Sequence, residues 1–355
     1  MRKMFLGSMV GSMFVLLVLA SASIAATELK HWPDPAKKQL DMIIEKNANQ
    51  GNYAVFDMDN TSYRYDLEES LLAYMEMKGA LTRESLPPEL RLIPFKDTKD
   101  FKEGLVSYYY RLCEVDDLIC YPWVAQVFSG FTLKELKGHV DGLMEYGKPL
   151  KARYYSGDTV KETSINAPKP FTGMQELYAR LMENGIDVYV MTAASEELVR
   201  MVASDPKYGY NVKPENVIGV TMLLKDPATG DLTTSRLQIE KGKYDQKKNL
   251  DLLLTSYLMN PMTWYEGKMG TILGYIDQWK KPLIVGGDTP ISDGFMLLNG
   301  VDVEKGGARV WVNRKDSTMK KMEGMWKKAA ARQKELGQPV TADKNWIVVK
   351  PEDIQ

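Results

Sequence analysis

Two carboxylates one residue apart open the polar run Asp57-Met58-Asp59-Asn60-Thr61. Apolar residues 52–56 lead into it, so both acids fall in the loop beyond a strand end, where alternate side chains can point the same way. There one carboxylate can attack a phosphorus atom while the other handles the proton of the leaving oxygen. Thr192 ends a second apolar run, 186–191, where its hydroxyl can donate to a phosphate oxygen. A third run, 282–285, enters Gly286-Gly287-Asp288-Thr289-Pro290-Ile291-Ser292-Asp293. Asp288 and Asp293 offer the hard oxygen donors that magnesium prefers, and the two glycines allow close backbone approach. Each feature alone has a plainer reading: acidic loops cap helices, and so does a threonine ahead of Ala193-Ala194-Ser195-Glu196-Glu197. Three strand ends carrying matching polar groups favour one shared site.

Elements that can carry these tips follow from periodicity. Residues 217–223 and 308–312 read as two further strands, making five interleaved with helical stretches, the pattern of a doubly wound parallel α/β sheet. Ligands in such sheets bind at the carboxyl ends of the strands, which is where the polar residues lie. The segment between the first two strands is far too long for a simple crossover, so it must form a separate unit. Its pattern predicts an inserted, mainly helical cap over 67–167, with the catalytic α/β core formed by 27–66 and 168–355. Asp226-Pro227-Ala228-Thr229-Gly230-Asp231 marks a hairpin turn, and a basic helix is expected to follow Lys315.

Composition removes competing classes. The 355 residues carry 46 basic and 47 acidic side chains, a formal net charge of -1, so no global field exists to hold nucleic acid. His31 and His139 are the only histidines, which counts against a serine or cysteine hydrolase and against a histidine-rich zinc site. Arg2 and Lys3, an apolar stretch over 9–19 and small residues over 20–26 read as a secretory signal peptide, residues 1–26, cleaved near Ala25 or Ala26. The apolar stretch is shorter than a bilayer span, so a stable membrane anchor is not expected. Export to an oxidising compartment, here the periplasm, predicts that Cys113 and Cys120 pair in a disulfide.

The motifs are similar in order and spacing to those of haloacid dehalogenase phosphatases: Asp57 to Thr61 resembles the first, Thr192 the second, and Gly287 to Asp293 the fourth. The third motif of that family is a lysine; Lys268 is the best placed, with Lys243, Lys247 and Lys248 as weaker candidates. Within the superfamily the sequence from Asp57 to Glu69, with Gly287-Asp288-Thr289-Pro290, resembles bacterial exported phosphorylcholine phosphatases. That resemblance implies catalysis by Asp57, Asp59, Thr192 and Lys268. It also implies magnesium, or another divalent ion such as zinc, held by Asp57, Asp59 through its backbone carbonyl, Asp288 and Asp293. One departure is Ile291, where related enzymes can place a further acid.

The implied small-molecule substrate is a phosphate monoester, phosphorylcholine, whose quaternary ammonium needs aromatic faces and a carboxylate. Thr61, Tyr63, Tyr65, Glu68 and Glu69, close to Asp57 in sequence, are the expected substrate-side residues. Glu114 is a further one, near Tyr108, Tyr109, Tyr110, Tyr121 and Trp123 around the cysteines. The alternatives are a broad-specificity or phosphoserine-type phosphatase of the same fold, and a non-enzymatic binding protein for quaternary amines, which would leave the four aspartates without a purpose.

Overall fold

Short runs rich in valine, isoleucine and aromatic residues pair into the central sheet of the computed structural model, which describes residues 27–355. The expected signal peptide and its cleavage point lie outside the described residues. Among the described residues, six strands run parallel in the spatial order Trp346–Val349, Ala308–Val312, Ile284–Gly287, Tyr53–Phe56, Asp187–Ser195, Val217–Val220. Tyr53–Phe56, Val217–Val220, Ile284–Gly287 and Ala308–Val312 are buried throughout, as continuous apolar strands must be when helices cover both faces. From the central first strand the chain winds to one side through Asp187–Ser195 and Val217–Val220, then crosses back to Ile284–Gly287 on the other. The gap between Tyr53–Phe56 and Ile284–Gly287 is therefore the topological switch point, the place where doubly wound sheets take ligands.

The five expected strands are present, and the edge strand Trp346–Val349 is an addition. Residues 217–223 do not form one strand. Val217–Val220 stays in the central sheet, whereas Met222–Lys225 joins a separate antiparallel sheet with Leu232–Thr233 and Leu253–Leu258. Thr221, between them, donates its hydroxyl to Glu196 instead. The expected hairpin turn closes where Asp226 Oδ1 accepts from the Ala228 N–H and the Asp226 carbonyl from the Gly230 N–H.

The long segment between the first two strands contributes the helices Leu67–Met77, Leu105–Val115, Asp117–Gln126 and Leu133–Tyr146. It also holds an antiparallel hairpin, Leu150–Ser156 with Thr159–Ile165, only partly buried, in which Leu150, Ala152 and Tyr154 alternate with Lys151 and Arg153. Cys113 and Cys120 form the disulfide that ties Leu105–Val115 to Asp117–Gln126. This segment is tied to the rest of the chain at several places. Backbone bonds join Gly130 and Leu133 to Leu254 and Leu252, at 2.8 and 3.0 Å. Elsewhere Lys137 pairs with Asp205, Glu145 with Lys207, and Asp141 accepts from the Tyr208 hydroxyl. Among the described residues no helix is long and apolar enough to cross a membrane.

Candidate active site

Asp57 continues the first strand: its N–H donates to the Gly286 carbonyl at 3.0 Å, and the register that pairs Phe56 with Gly286 sets Asp57 beside the strand end leading to Asp288. The chain then turns back on itself, with the Thr61 and Ser62 N–H groups donating to the Met58 carbonyl and the Ser62 hydroxyl to the Asp57 carbonyl. This turn buries the Thr61 hydroxyl between the two acids, 3.3 Å from Asp57 Oδ2 and 3.1 Å from Asp288 Oδ1. Lys268, on the short helix Glu266–Thr271, donates from Nζ to Asp57 Oδ1 at 2.7 Å and to Asp293 Oδ1 at 2.8 Å. Its side chain is 0% exposed, while Lys243, Lys247 and Lys248 lie exposed elsewhere. The other oxygen of Asp293 accepts from the Asp288 and Thr289 N–H groups and the Thr289 hydroxyl, so Asp293 braces the loop that presents Asp288. Glycine is required before that loop, because a Cβ at Gly287 would come within 2.6 Å of the Asp293 Cβ.

So much buried acid shifts ionisation. Burial, reinforced by Asp293 and opposed by Lys268, pushes the Asp57 carboxyl up to about 6. Burial likewise takes Asp288 up to about 8, against the pull of Arg314 and with Asp293 and Asp57 adding to it. Asp59 is raised well above the usual carboxylate range by burial and then by Asp66 and Asp57. Burial alone would lower Lys268, but Asp293 and Asp57 outweigh it and hold the ammonium charged.

Above these groups opens a cleft of about 600 Å³ including its mouth, floored by Asp57, Asp59, Asp288 and Thr289. Its sides bring in Asp66, Glu68, Tyr109, Tyr121, Val124, Ala193, Ala194 and Arg314. Glu68 accepts from the Ser195 N–H at 2.8 Å, which joins the first helix of the insertion to the end of the second central strand. Thr192 is fully buried in that strand end, its hydroxyl accepting from the Ala194 N–H at 3.1 Å, and its neighbours Ala193 and Ala194 form the wall.

Of the expected substrate-side residues, Glu68 alone lines the cleft. Tyr63 is fully buried and donates its hydroxyl to Asp59 Oδ1, orienting the acid. Tyr65 lies outside the lining, at φ 76° beside the Arg64 guanidinium. Glu69 accepts from the Tyr110 hydroxyl, and Glu114 accepts from the Gly157 N–H on the hairpin of the insertion. Thr61 acts from beneath the floor as described. The aromatic sides come from Tyr109 and Tyr121, on the two helices joined by the disulfide. Asp66 and Arg314 did not stand out in the sequence as site residues. Asp66 could have been found as the N-cap before Leu67, and Arg314 as the polar end of yet another strand on the same face of the sheet.

The donor set fits a hard divalent cation. Oxygens of Asp57, Asp288 and Asp293 lie within 4.8 Å of one another, and all three residues are buried. Asp288 Oδ2 is buried beside the Arg314 guanidinium, on the side of the carboxylate that lines the cleft. Asp293, expected as a ligand, has one oxygen on Lys268 and the other bracing the Asp288 loop, whereas Asp57 and Asp288 line the cleft directly.

The raised carboxyls fix a sign. Asp57 and Asp288 have ordinary values of 3.8, so their contribution to folding is fully present below that pH and is lost as pH rises through about 6 and about 8. In chelator the melting temperature should fall by roughly 5 to 10 °C between pH 5 and pH 8, less steeply in Asp288→Asn, and saturating magnesium should recover more at pH 8 than at pH 5. A wild-type curve parallel to that of Asp288→Asn would count against these buried acids.

No family model matches the chain. Among proteins of known sequence, the phosphorylcholine phosphatase of Pseudomonas aeruginosa is 63% identical over 339 residues, covering 96% of this chain and 97% of its own length. Among solved structures, a protein of unknown function from Anaerococcus prevotii has a TM-score of 0.55 at 22% identity, over 85% of this chain and 90% of its own, and so shares the fold. A cytosolic 5'-nucleotidase IIIB bound to cytidine matches at a TM-score of 0.44 and 12% identity, over 90% of this chain and 88% of its own, too remote to carry an argument. Likeness over nearly the full length of both chains settles descent: the chain belongs to the phosphorylcholine phosphatases.

Proposed function

We propose that the protein hydrolyses phosphorylcholine to choline and phosphate through an aspartyl-phosphate on Asp57, in the periplasm after removal of residues 1–26. On this reading 27–66 and 168–355 form the catalytic unit and 67–167 the cap. The observation that carries it is one cleft with Asp57, Asp59 and Asp288 on its floor and Tyr109, Tyr121 and Glu68 on its sides. A divalent cation, magnesium or zinc, held by Asp57, the Asp59 carbonyl and Asp288, with Asp293 behind them, would supply Lewis-acid neutralisation of phosphoryl charge.

Asp57 attacks phosphorus, a P–O(Asp) bond forms as the bond to the choline oxygen breaks, and Asp59 delivers its proton to that oxygen. A carboxyl kept protonated by burial suits this step, and Tyr63 and the Leu67 N–H, both on Asp59 Oδ1, hold it in place. Asp59, now ionised, takes a proton from water, whose oxygen attacks phosphorus and frees the Asp57 carboxylate. Lys268 and the strand end at Thr192 steady the phosphoryl group. A trimethylammonium group lying between Tyr109 and Tyr121 gains cation–π attraction. Its charge would also draw a proton from Glu68, whose carboxyl burial holds well above its usual range. Phosphoserine fits less well, because its carboxylate would meet Asp66 and Glu68.

Phosphate release from phosphorylcholine, phosphoethanolamine and phosphoserine, with and without chelator, tests the reading. Phosphorylcholine should lead phosphoethanolamine by about tenfold in kcat/KM, and chelator should stop all three. Equal rates would remove the choline assignment, and chelator-insensitive release would remove the metal.

A further inference from the structure

The cleft holds two cations of different construction. Lys268 is wholly buried and makes two well-directed bonds of 2.7 and 2.8 Å, so it is a fixed part of the floor. Arg314 follows the strand Ala308–Val312, lines the cleft, and keeps 28% of its side chain exposed. Its Nε faces Asp288 Oδ2 as a close ion pair. Asp288 Oδ1 is held independently by the Thr61 hydroxyl. The Arg314 charge also reaches Asp66, the N-cap of Leu67–Met77, where it opposes the burial that raises that carboxyl. The contact is thus attractive and open to solvent on the Arg314 side, and it covers an oxygen that a divalent cation would take.

We propose that Arg314 is a positioning residue that competes with the divalent cation for Asp288 Oδ2 and thereby sets the affinity of the site for metal. This rests on the metal-dependent reading above. The guanidinium and the Thr61 hydroxyl hold the two Asp288 oxygens toward the cleft, and the guanidinium must yield its oxygen when an ion arrives. Two consequences have opposite signs. Removing the guanidinium deprives a buried carboxylate of its counter-charge, which weakens the metal-free protein. The same change removes both a competitor and a like charge from beside the ion, which strengthens metal binding. A residue that merely supported the loop would loosen the site when lost, and metal binding would weaken.

The experiment is calorimetric titration of chelator-stripped, full-length mature protein with magnesium chloride alone, alongside melting temperatures in chelator. Arg314→Ala should bind magnesium at least ~5-fold more tightly than wild type and melt lower in chelator, with Arg314→Lys, which keeps the charge, close to wild type in affinity. If the alanine variant does not fold, Arg314→Gln, which keeps much of the packing, carries the same expectation. Unchanged or weaker magnesium binding in a folded Ala or Gln variant overturns the role of Arg314 and leaves the metal reading standing. No magnesium binding by wild type overturns both.

Discussion

Asp57→Asn abolishes phosphate release, with a loss of at least ~10⁴-fold expected for a missing nucleophile, and leaves a folded protein. The amide has nearly the shape of the carboxylate but no nucleophilic anion. Little else depends on that charge: the Asp57 N–H still bonds the Gly286 carbonyl, and Lys268 keeps its second partner, Asp293. Burial costs a carboxylate more than an amide, so the melting temperature should stay within a few degrees of wild type. The paired measurement is phosphate release and thermal melting of the same preparation. Activity within tenfold of wild type would show that the attacking group lies elsewhere.

Lys268→Met is expected to fail on both counts. Its ammonium is the only cation bonded to Asp57 and Asp293 among the described residues, and the site around it admits no solvent. Removing one partner from a buried ion pair costs about 3 to 5 kcal/mol, because the carboxylates left behind can neither be hydrated nor paired. Activity should drop by roughly 10³-fold as well, since the same charge faces the phosphoryl group that Asp57 receives. Urea denaturation and kcat would separate the effects. A variant as stable as wild type would mean that Asp57 and Asp293 are protonated partners of each other and that Lys268 contributes little to the floor.

How far the sequence could be read depended on the range of the interactions. Asp57, Asp288 and Thr192 were legible because each sits at the end of a continuous apolar strand, and a doubly wound sheet gathers such ends. Lys268 was legible only through the resemblance to known phosphatases, since no local pattern distinguishes a lysine that will be buried from one on the surface. Arg314 obeyed the same strand-end rule, two residues beyond Val312, but no motif marked it out. The aromatic sides were harder. Closeness in sequence favoured Tyr63 and Tyr65, yet the turn at Met58 folds Tyr63 beneath Asp59 and the left-handed backbone at Tyr65 carries it away from the cleft. Tyr109 and Tyr121 reach the cleft through tertiary packing of the insertion, which no spacing rule encodes. The hairpin at Leu150–Ile165 escaped because polar residues break its apolar ones into isolated positions, and Trp346–Val349, though apolar throughout, is a four-residue run at a sheet edge, too short to stand out.

The covalent link between Cys113 and Cys120 divides the enzyme's labour. It lies between the helix bearing Tyr109 and the helix bearing Tyr121, whereas Asp57 and Asp288 follow strands, and Lys268 sits on a helix, that contain no cysteine. On the proposed reading selectivity is stapled and reactivity is not: a thiol-rich environment would blur which esters are accepted before it touched the power to cleave them.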